Sequence, residues 1–337
     1  MQIARILTTS ARIPRCFYSS FSRISNLLPV ETITGQFNDV DVDEFRRKAF
    51  LPEKPLLITT NNDFPAPSIS FPAAGKWFGL QWPRDRDSPQ NLQDSLVLSQ
   101  SYLSSFSGTI LPYELITDAD PHSLQTLQNL QRPSDGGGRT ELALYLSQIP
   151  DDTTFHRFNA PFSLFLQACN PNSPSPIKRL YIAQAQITDL PKQLRDDLPT
   201  PTLVKEAGKG DIYDANVWLG IPPTYTPLHR DPNPNLFVQL ASRKRVRLFR
   251  PDIGSAIFRE VQQRIKQHAS SNFRGNEMME GPERTALEES TWGESAPKHG
   301  FEVIVSPGDA LFIPKGWWHS IKSMGSDVNA SVNWWFR

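Results

Sequence analysis

A mainly β fold with flanking helices is what this sequence predicts, and three observations predict it. Its 337 residues include 30 prolines and 20 phenylalanines set among many short apolar runs, which favours strands separated by turns. Residues 243–248, Arg-Lys-Arg-Val-Arg-Leu, alternate with period two, as a strand with one buried face does. Hydrophobic residues make up 38% and charged residues 21%, enough apolar surface for a sizeable core. Lys plus Arg and Asp plus Glu balance at 35 each, so no global field draws the chain to nucleic acid or an anionic membrane. No run approaches the ~18 apolar residues that cross a bilayer, so no membrane insertion is expected. Two cysteines, Cys16 and Cys169, exclude a disulfide framework.

The first 25 residues stand apart. They carry Arg5, Arg12, Arg15 and Arg23 with several hydroxyl residues, and no acid occurs before Glu31. That is the composition of a mitochondrial transit peptide, with "RCFYSS" from Arg15 resembling a processing site. A disordered basic tail is the plainer alternative. Residues 35–337 are expected to form one domain. Residues 41–59 read as a short helix leading into a strand, broken by Pro52 and Pro55. Short strand or helix segments follow at 94–106 and 140–149, with a Gly-rich loop at 131–140 between them. Residues 175–187 read as a strand, 189–201 as a short helix between prolines, and 211–221 as a further strand. Ile253, Ile257, Val261 and Ile265 recur at four-residue steps, one stripe of an amphipathic helix. Residues 268–300 show no periodicity and read as a long polar loop, so 251–300 looks like an insert. Strands return at 301–323 around the turn "SPGD", and again at 328–337.

The stretch from Thr226 to Leu248, "TPLHRDPNPNLFVQLASRKRVRL", holds the chemistry. His229 and Asp231 lie two apart, so one strand presents an imidazole and a carboxylate on the same side. A second imidazole would complete a facial triad that leaves coordination positions open, as in non-haem Fe(II) oxygenases. His319, in "PKGWWHS", is the best candidate. His122 and His156 sit in polar upstream segments, and His268 and His299 flank the polar loop. Lys244 shares its strand face with Val246 and Leu248, where an ammonium is costly without an anion. A bound dicarboxylate or a protein carboxylate would each satisfy it. Arg243, Arg245 and Arg247 face the other way and read as a solvated strand face. Trp317 and Trp334 read as core.

Several spaced motifs together resemble the JmjC or cupin-like 2-oxoglutarate oxygenases. Thr226, His229, Asp231, Asn235, Phe237, Gln239 and Lys244 follow one another as they do in the protein-hydroxylase branch, typified by the asparaginyl hydroxylase of hypoxia-inducible factor. "GDALFIPKGWWHSI" and "SVNWW" match as well. The resemblance implies a double-stranded β-helix, a jelly roll of two facing sheets. It implies Fe(II) held by His229, Asp231 and His319, with 2-oxoglutarate and O2 as co-substrates. It further implies that Lys244, Thr226 and Tyr181 hold the distal carboxylate of 2-oxoglutarate, with Asn235, Asn333 and Trp335 lining its pocket. The expected activity is hydroxylation of a protein side chain or an RNA base in the mitochondrial matrix, with a homodimer left open. A lysine demethylase, a small-molecule hydroxylase and a non-catalytic cupin-like binding protein are the alternatives.

Overall fold

The computed structural model describes residues 27–35, 40–59, 71–81, 95–117, 154–170, 177, 179–266, 279–294 and 296–337. The basic segment 1–25, the loop 131–140, the segment 140–149, His122 and His268 lie outside these residues. In chain order the elements are β1 (Leu28–Pro29), β2 (Glu31–Thr34), α1 (Val42–Phe45, running on as a wider turn over Arg46–Phe50) and β3 (Leu56–Thr59). Next come α2 (Pro72–Lys76), β4 (Phe78–Gln81), β5 (Ser95–Leu98), α3 (Gln100–Leu103), β6 (Ile110–Ile116), β7 (Phe155–Pro161) and α4 (Phe162–Ala168). They are followed by β8 (Leu180–Gln186), α5 (Lys192–Asp196), α6 (Thr202–Glu206), β9 (Ile212–Gly220), β10 (Tyr225–Arg230), β11 (Asn235–Ala241) and β12 (Arg243–Phe249). The chain closes with α7 (Pro251–Arg264), α8 (Gly281–Trp292), β13 (Phe301–Val305), β14 (Ala310–Ile313), β15 (Trp318–Met324) and β16 (Asn329–Phe336).

Two sheets face each other as a double-stranded β-helix. The larger runs β2-β3-β14-β11-β16-β9-β8-β6-β7 and the smaller β1-β13-β12-β15-β10. Their inner faces meet over Phe237, Leu311 and Ile313 from one and Val246, Leu248, Val303 and Val305 from the other, all buried. A second apolar layer lies on the outside of the large sheet, where α1, α2, α4 and α5 cover Leu236, Val238, Val332 and Trp334. Asp197 ties this layer together. It accepts from the Trp77 indole at 2.9 Å and the Tyr102 hydroxyl at 2.6 Å, and pairs with Lys76 at 2.5 Å.

The insert after Pro251 behaves differently from its sequence pattern. Its first helix forms as expected, with Ile257 and Val261 buried. The segment read as a loop to residue 300 contains a second helix, α8. That helix shows no apolar stripe because two of its buried positions, Glu283 and Thr291, are polar beside Ala286 and Leu287. Side chains from elsewhere hold it: Arg264 donates to the Ala286 carbonyl at 3.0 Å and pairs with Glu289 at 3.1 Å. The two helices cover the outside of the small sheet, so Arg247 is not solvated. It pairs with Glu302 at 2.7 Å, donates to the Thr291 carbonyl at 2.7 Å, and stacks 4.6 Å over Trp292. The closest approach is at Gly254 of α7, where an added Cβ would sit 2.1 Å from the Trp318 ring. Only glycine lets this helix lie directly on the strand that carries His319.

Candidate metal centre

β10 and β15 are antiparallel neighbours, with His229 directly opposite His319. Paired residues share a sheet face, so both imidazoles enter the barrel, their ring centres 4.2 Å apart. Asp231, just past the end of β10, completes the group. Its Oδ1 is 4.0 Å from His229 Nε2 and its Oδ2 is 3.7 Å from His319 Nε2. All three ligand atoms lie within 4.8 Å of one another, the span of one ion. Among the described residues this is the group of three His, Cys, Asp or Glu side chains close enough to share a metal.

Each imidazole is oriented by its own strand. His229 Nδ1 lies 2.8 Å from the Pro227 carbonyl, and His319 Nδ1 lies 3.2 Å from the Trp317 carbonyl. Each Nδ1 therefore carries the proton, which leaves both Nε2 lone pairs for a metal. Burial, with the neighbouring His229, pushes His319 down to about 4, so its ring is neutral and able to coordinate. Burial would raise the Asp231 carboxyl, but the adjacent imidazoles and two hydrogen bonds outweigh it, and the net shift is downward. Those bonds come from the Trp335 indole at 2.8 Å and Asn235 Nδ2 at 3.1 Å, both to Oδ2. Asn333 Nδ2 in turn donates to Asn235 Oδ1 at 2.9 Å. Asn235, Asn333 and Trp335 thus form a chain of donors behind the carboxylate.

Lys244 points inward from β12 and is 2% exposed. Its Nζ donates to Ser331 Oγ at 2.8 Å and to the Tyr181 hydroxyl at 3.3 Å, with the Phe237 ring 5.3 Å away. Neither partner carries charge. Burial accordingly pulls the lysine down to about 7. Burial first, then the charge of Glu114 opposite it on β6, push the Tyr181 phenol up, so it keeps its proton. With its oxygen accepting from Lys244, that O–H remains free to donate to an anion. Lys244 stands opposite Ser323, four residues along β15 from His319, which at ~3.3 Å per residue sets the two rows about 13 Å apart. Across the barrel the same interval separates Ser331 from Trp335 on β16. Between the rows, Asn333 Oδ1 is a buried acceptor with no protein partner, and the Trp218 indole N–H, whose ring tilts against Tyr181 at 5.7 Å, is a buried donor without one.

The donor set fits a divalent iron, with two imidazoles and one carboxylate on one side and the buried polar atoms of Asn333 and Trp218 on the other. The structure therefore brings His229, Asp231 and His319 together at one end of the cleft and Lys244 with Tyr181 at the other. Thr226 lies on the same inner face through its pairing with Ile321, and it enters the network by its carbonyl, which accepts from Ser320 Oγ at 2.8 Å. Gln239, part of the matching motif, braces the turn by which β11 of the large sheet leads into β12 of the small one, donating to Asn329 Oδ1 at 3.0 Å and the Ala241 carbonyl at 2.6 Å. Sequence reasoning missed Ser331 and Trp218. The alternation Ser331, Asn333, Trp335 in "SVNWW" could have found the first. A cavity of about 490 Å³ between β5, α3 and α4 is lined by Gln100, Ser107, Ser163 and Cys169. It includes none of the ligand-bearing residues, and donor geometry, not cavity size, identifies the site.

A double-stranded β-helix with an inward His/Asp/His group defines a cupin-type metal protein. Residues 131–337 match the cupin-like domain family, and the chain belongs to it. Among curated proteins it is 28% identical over 174 residues to Lysine-specific demethylase JMJ30 of Arabidopsis thaliana, covering 52% of this chain and 38% of that protein. It is 28% identical over 160 residues to Lysine-specific demethylase 8 of Danio rerio, covering 46% and 36%. It is 29% identical over 159 residues to JmjC domain-containing protein D of Dictyostelium discoideum, covering 44% and 33%. The match thus spans only about a third of the length of each of these relatives. They support the JmjC family and do not single out the asparaginyl-hydroxylase branch. JmjC domains use Fe(II), 2-oxoglutarate and O2, and the His229, Asp231 and His319 group could hold such a metal. No helix among the described residues is long and apolar enough to cross a membrane.

Proposed function

We propose that this chain is an Fe(II)- and 2-oxoglutarate-dependent oxygenase that hydroxylates a side chain of a protein substrate. One observation carries the reading: a His/Asp/His set shares the barrel lining with a buried lysine whose hydrogen-bond partners are two hydroxyls. The chemistry that Fe(II), 2-oxoglutarate and O2 supply is oxidative decarboxylation to succinate and CO2, coupled to insertion of one oxygen atom into a substrate C–H bond. His229, Asp231 and His319 would hold the metal, with Asn235 and Trp335 fixing the carboxylate. Lys244, Tyr181 and Ser331 would bind the distal carboxylate of 2-oxoglutarate, aided by Thr226.

Zero net charge and relatives named for action on lysine favour a protein substrate over RNA. Lys244 follows His229 by fifteen residues (244 − 229), the spacing on which the hydroxylase resemblance rests. The names of the relatives favour a second reading, N-demethylation. Both begin at a C–H bond, and the atom bonded to that carbon decides the product, because an N-hydroxymethyl group breaks its C–N bond to give formaldehyde and the N–H amine. Substrate trapped on the inactive Asp231→Ala variant, identified by mass spectrometry and turned over by wild type, is expected to gain one oxygen without formaldehyde. Loss of a methyl group with stoichiometric formaldehyde would establish demethylation instead. A mitochondrial matrix location belongs to the same proposal, resting on four arginines and no acid before Glu31. A reporter fused to residues 1–35 is expected to enter mitochondria, and cytosolic retention would refute this part.

A further inference from the structure

Helix α8 reaches the ligand-bearing strands through a contact outside the ligand set. β10 carries a bulge: Thr226 pairs with Ile321 and His229 with His319, so Pro227 and Leu228 together stand against Ser320. Proline has no N–H to give the ladder. The Thr226 carbonyl is taken by the Ser320 hydroxyl at 2.8 Å. Ser320 is 0% exposed, and its oxygen accepts the indole N–H of Trp292, the last residue of α8, at 2.9 Å. The same bulge supplies the Pro227 carbonyl that orients His229.

We propose that Trp292 is a positioning residue for the metal site, acting through Ser320 to hold the Thr226–His229 bulge so that His229 Nε2 faces Asp231 and His319. This rests on the reading of those three residues as metal ligands. The ring of Trp292 is fixed independently of its N–H. The Arg247 guanidinium lies 4.6 Å over it and the Lys322 ammonium 5.1 Å, while Arg247 also holds the Thr291 carbonyl and Lys322 pairs with Glu288 at 2.5 Å. Trp292→Phe therefore keeps the stack and removes the hydrogen bond.

The test is Co(II) binding to the full chain by calorimetry, alongside thermal unfolding. Groups that orient ligands typically contribute about 10–100-fold to metal affinity, and Trp292 acts one bond further away. Trp292→Phe is expected to weaken Co(II) about 5- to 10-fold with a melting temperature within about 2 °C of wild type. Ser320→Ala, which removes both hydrogen bonds, is expected to lose at least as much. Unchanged affinity in Trp292→Phe overturns the inference whatever Ser320→Ala does, as does a lowered melting temperature with wild-type affinity in the folded protein. If wild type does not bind Co(II), or His319→Ala binds it equally well, the ligand assignment fails instead.

Discussion

Asp231→Ala is expected to lower metal affinity by more than about 100-fold and to abolish succinate formation. Removing a ligand outright should exceed the about 10–100-fold that its supporting groups contribute. The carboxylate lies between two imidazoles that cannot hold a ferrous ion tightly by themselves, and no other carboxylate among the described residues joins their group. The truncation also strips the acceptor from the Trp335 indole and Asn235 Nδ2, each bond contributing about 1 kcal/mol. Asp231→Asn leaves one oxygen for these donors and separates loss of metal from loss of fold. Calorimetry with Co(II) and a denaturation curve decide between them. Tight Co(II) binding by a folded Asp231→Asn protein would remove Asp231 from the ligand set.

Lys244→Met is expected to leave metal binding intact and weaken 2-oxoglutarate by roughly 2–5 kcal/mol, about 30-fold or more. The same residue makes binding proton-linked. In the ligand-free protein the lysine sits at about 7, against 10.5 in an unfolded chain. A dicarboxylate would raise it again, so at about pH 8 each ligand bound should take up most of one proton. Titration in buffers of different ionisation enthalpy measures that uptake, and Lys244→Met should abolish it. Folding shows the opposite face of the linkage. Between pH 7 and 10.5 the unfolded chain holds the extra proton, so ligand-free stability from this group rises with pH by up to about 1.4 kcal/mol per unit. Below pH 7 both states are protonated and the slope vanishes. Equal 2-oxoglutarate affinity and no change in proton uptake would remove Lys244 from the co-substrate site.

The chemistry of the site was more legible than the elements around it. His229 and Asp231 two apart, and a lysine among Val246 and Leu248, announce themselves because each defies the ordinary use of a strand. Thr226 shows where parity arguments end. Three residues before His229, it should face the opposite side of an even strand, and the bulge at Pro227 turns it inward. No local pattern states that. Helix α8 was invisible for a related reason. Its stability comes from Arg264, Arg247 and Ser320, partners outside the helix, not from an apolar stripe of its own. Strand β6 carries Glu114, buried against Arg157 of β7, and a charged residue at a buried position hides the alternation that would mark the strand.

The two histidines and the aspartate differ in when they become ready. Each imidazole leans on a carbonyl two residues behind it, a brace supplied by its own strand. The carboxylate leans on Trp335, 104 residues further along the chain. During vectorial synthesis, His229 and Asp231 leave the ribosome long before either His319 or that brace has been made. Until then the three side chains are not gathered. The group of three exists only in the closed barrel, where β10 pairs with β15.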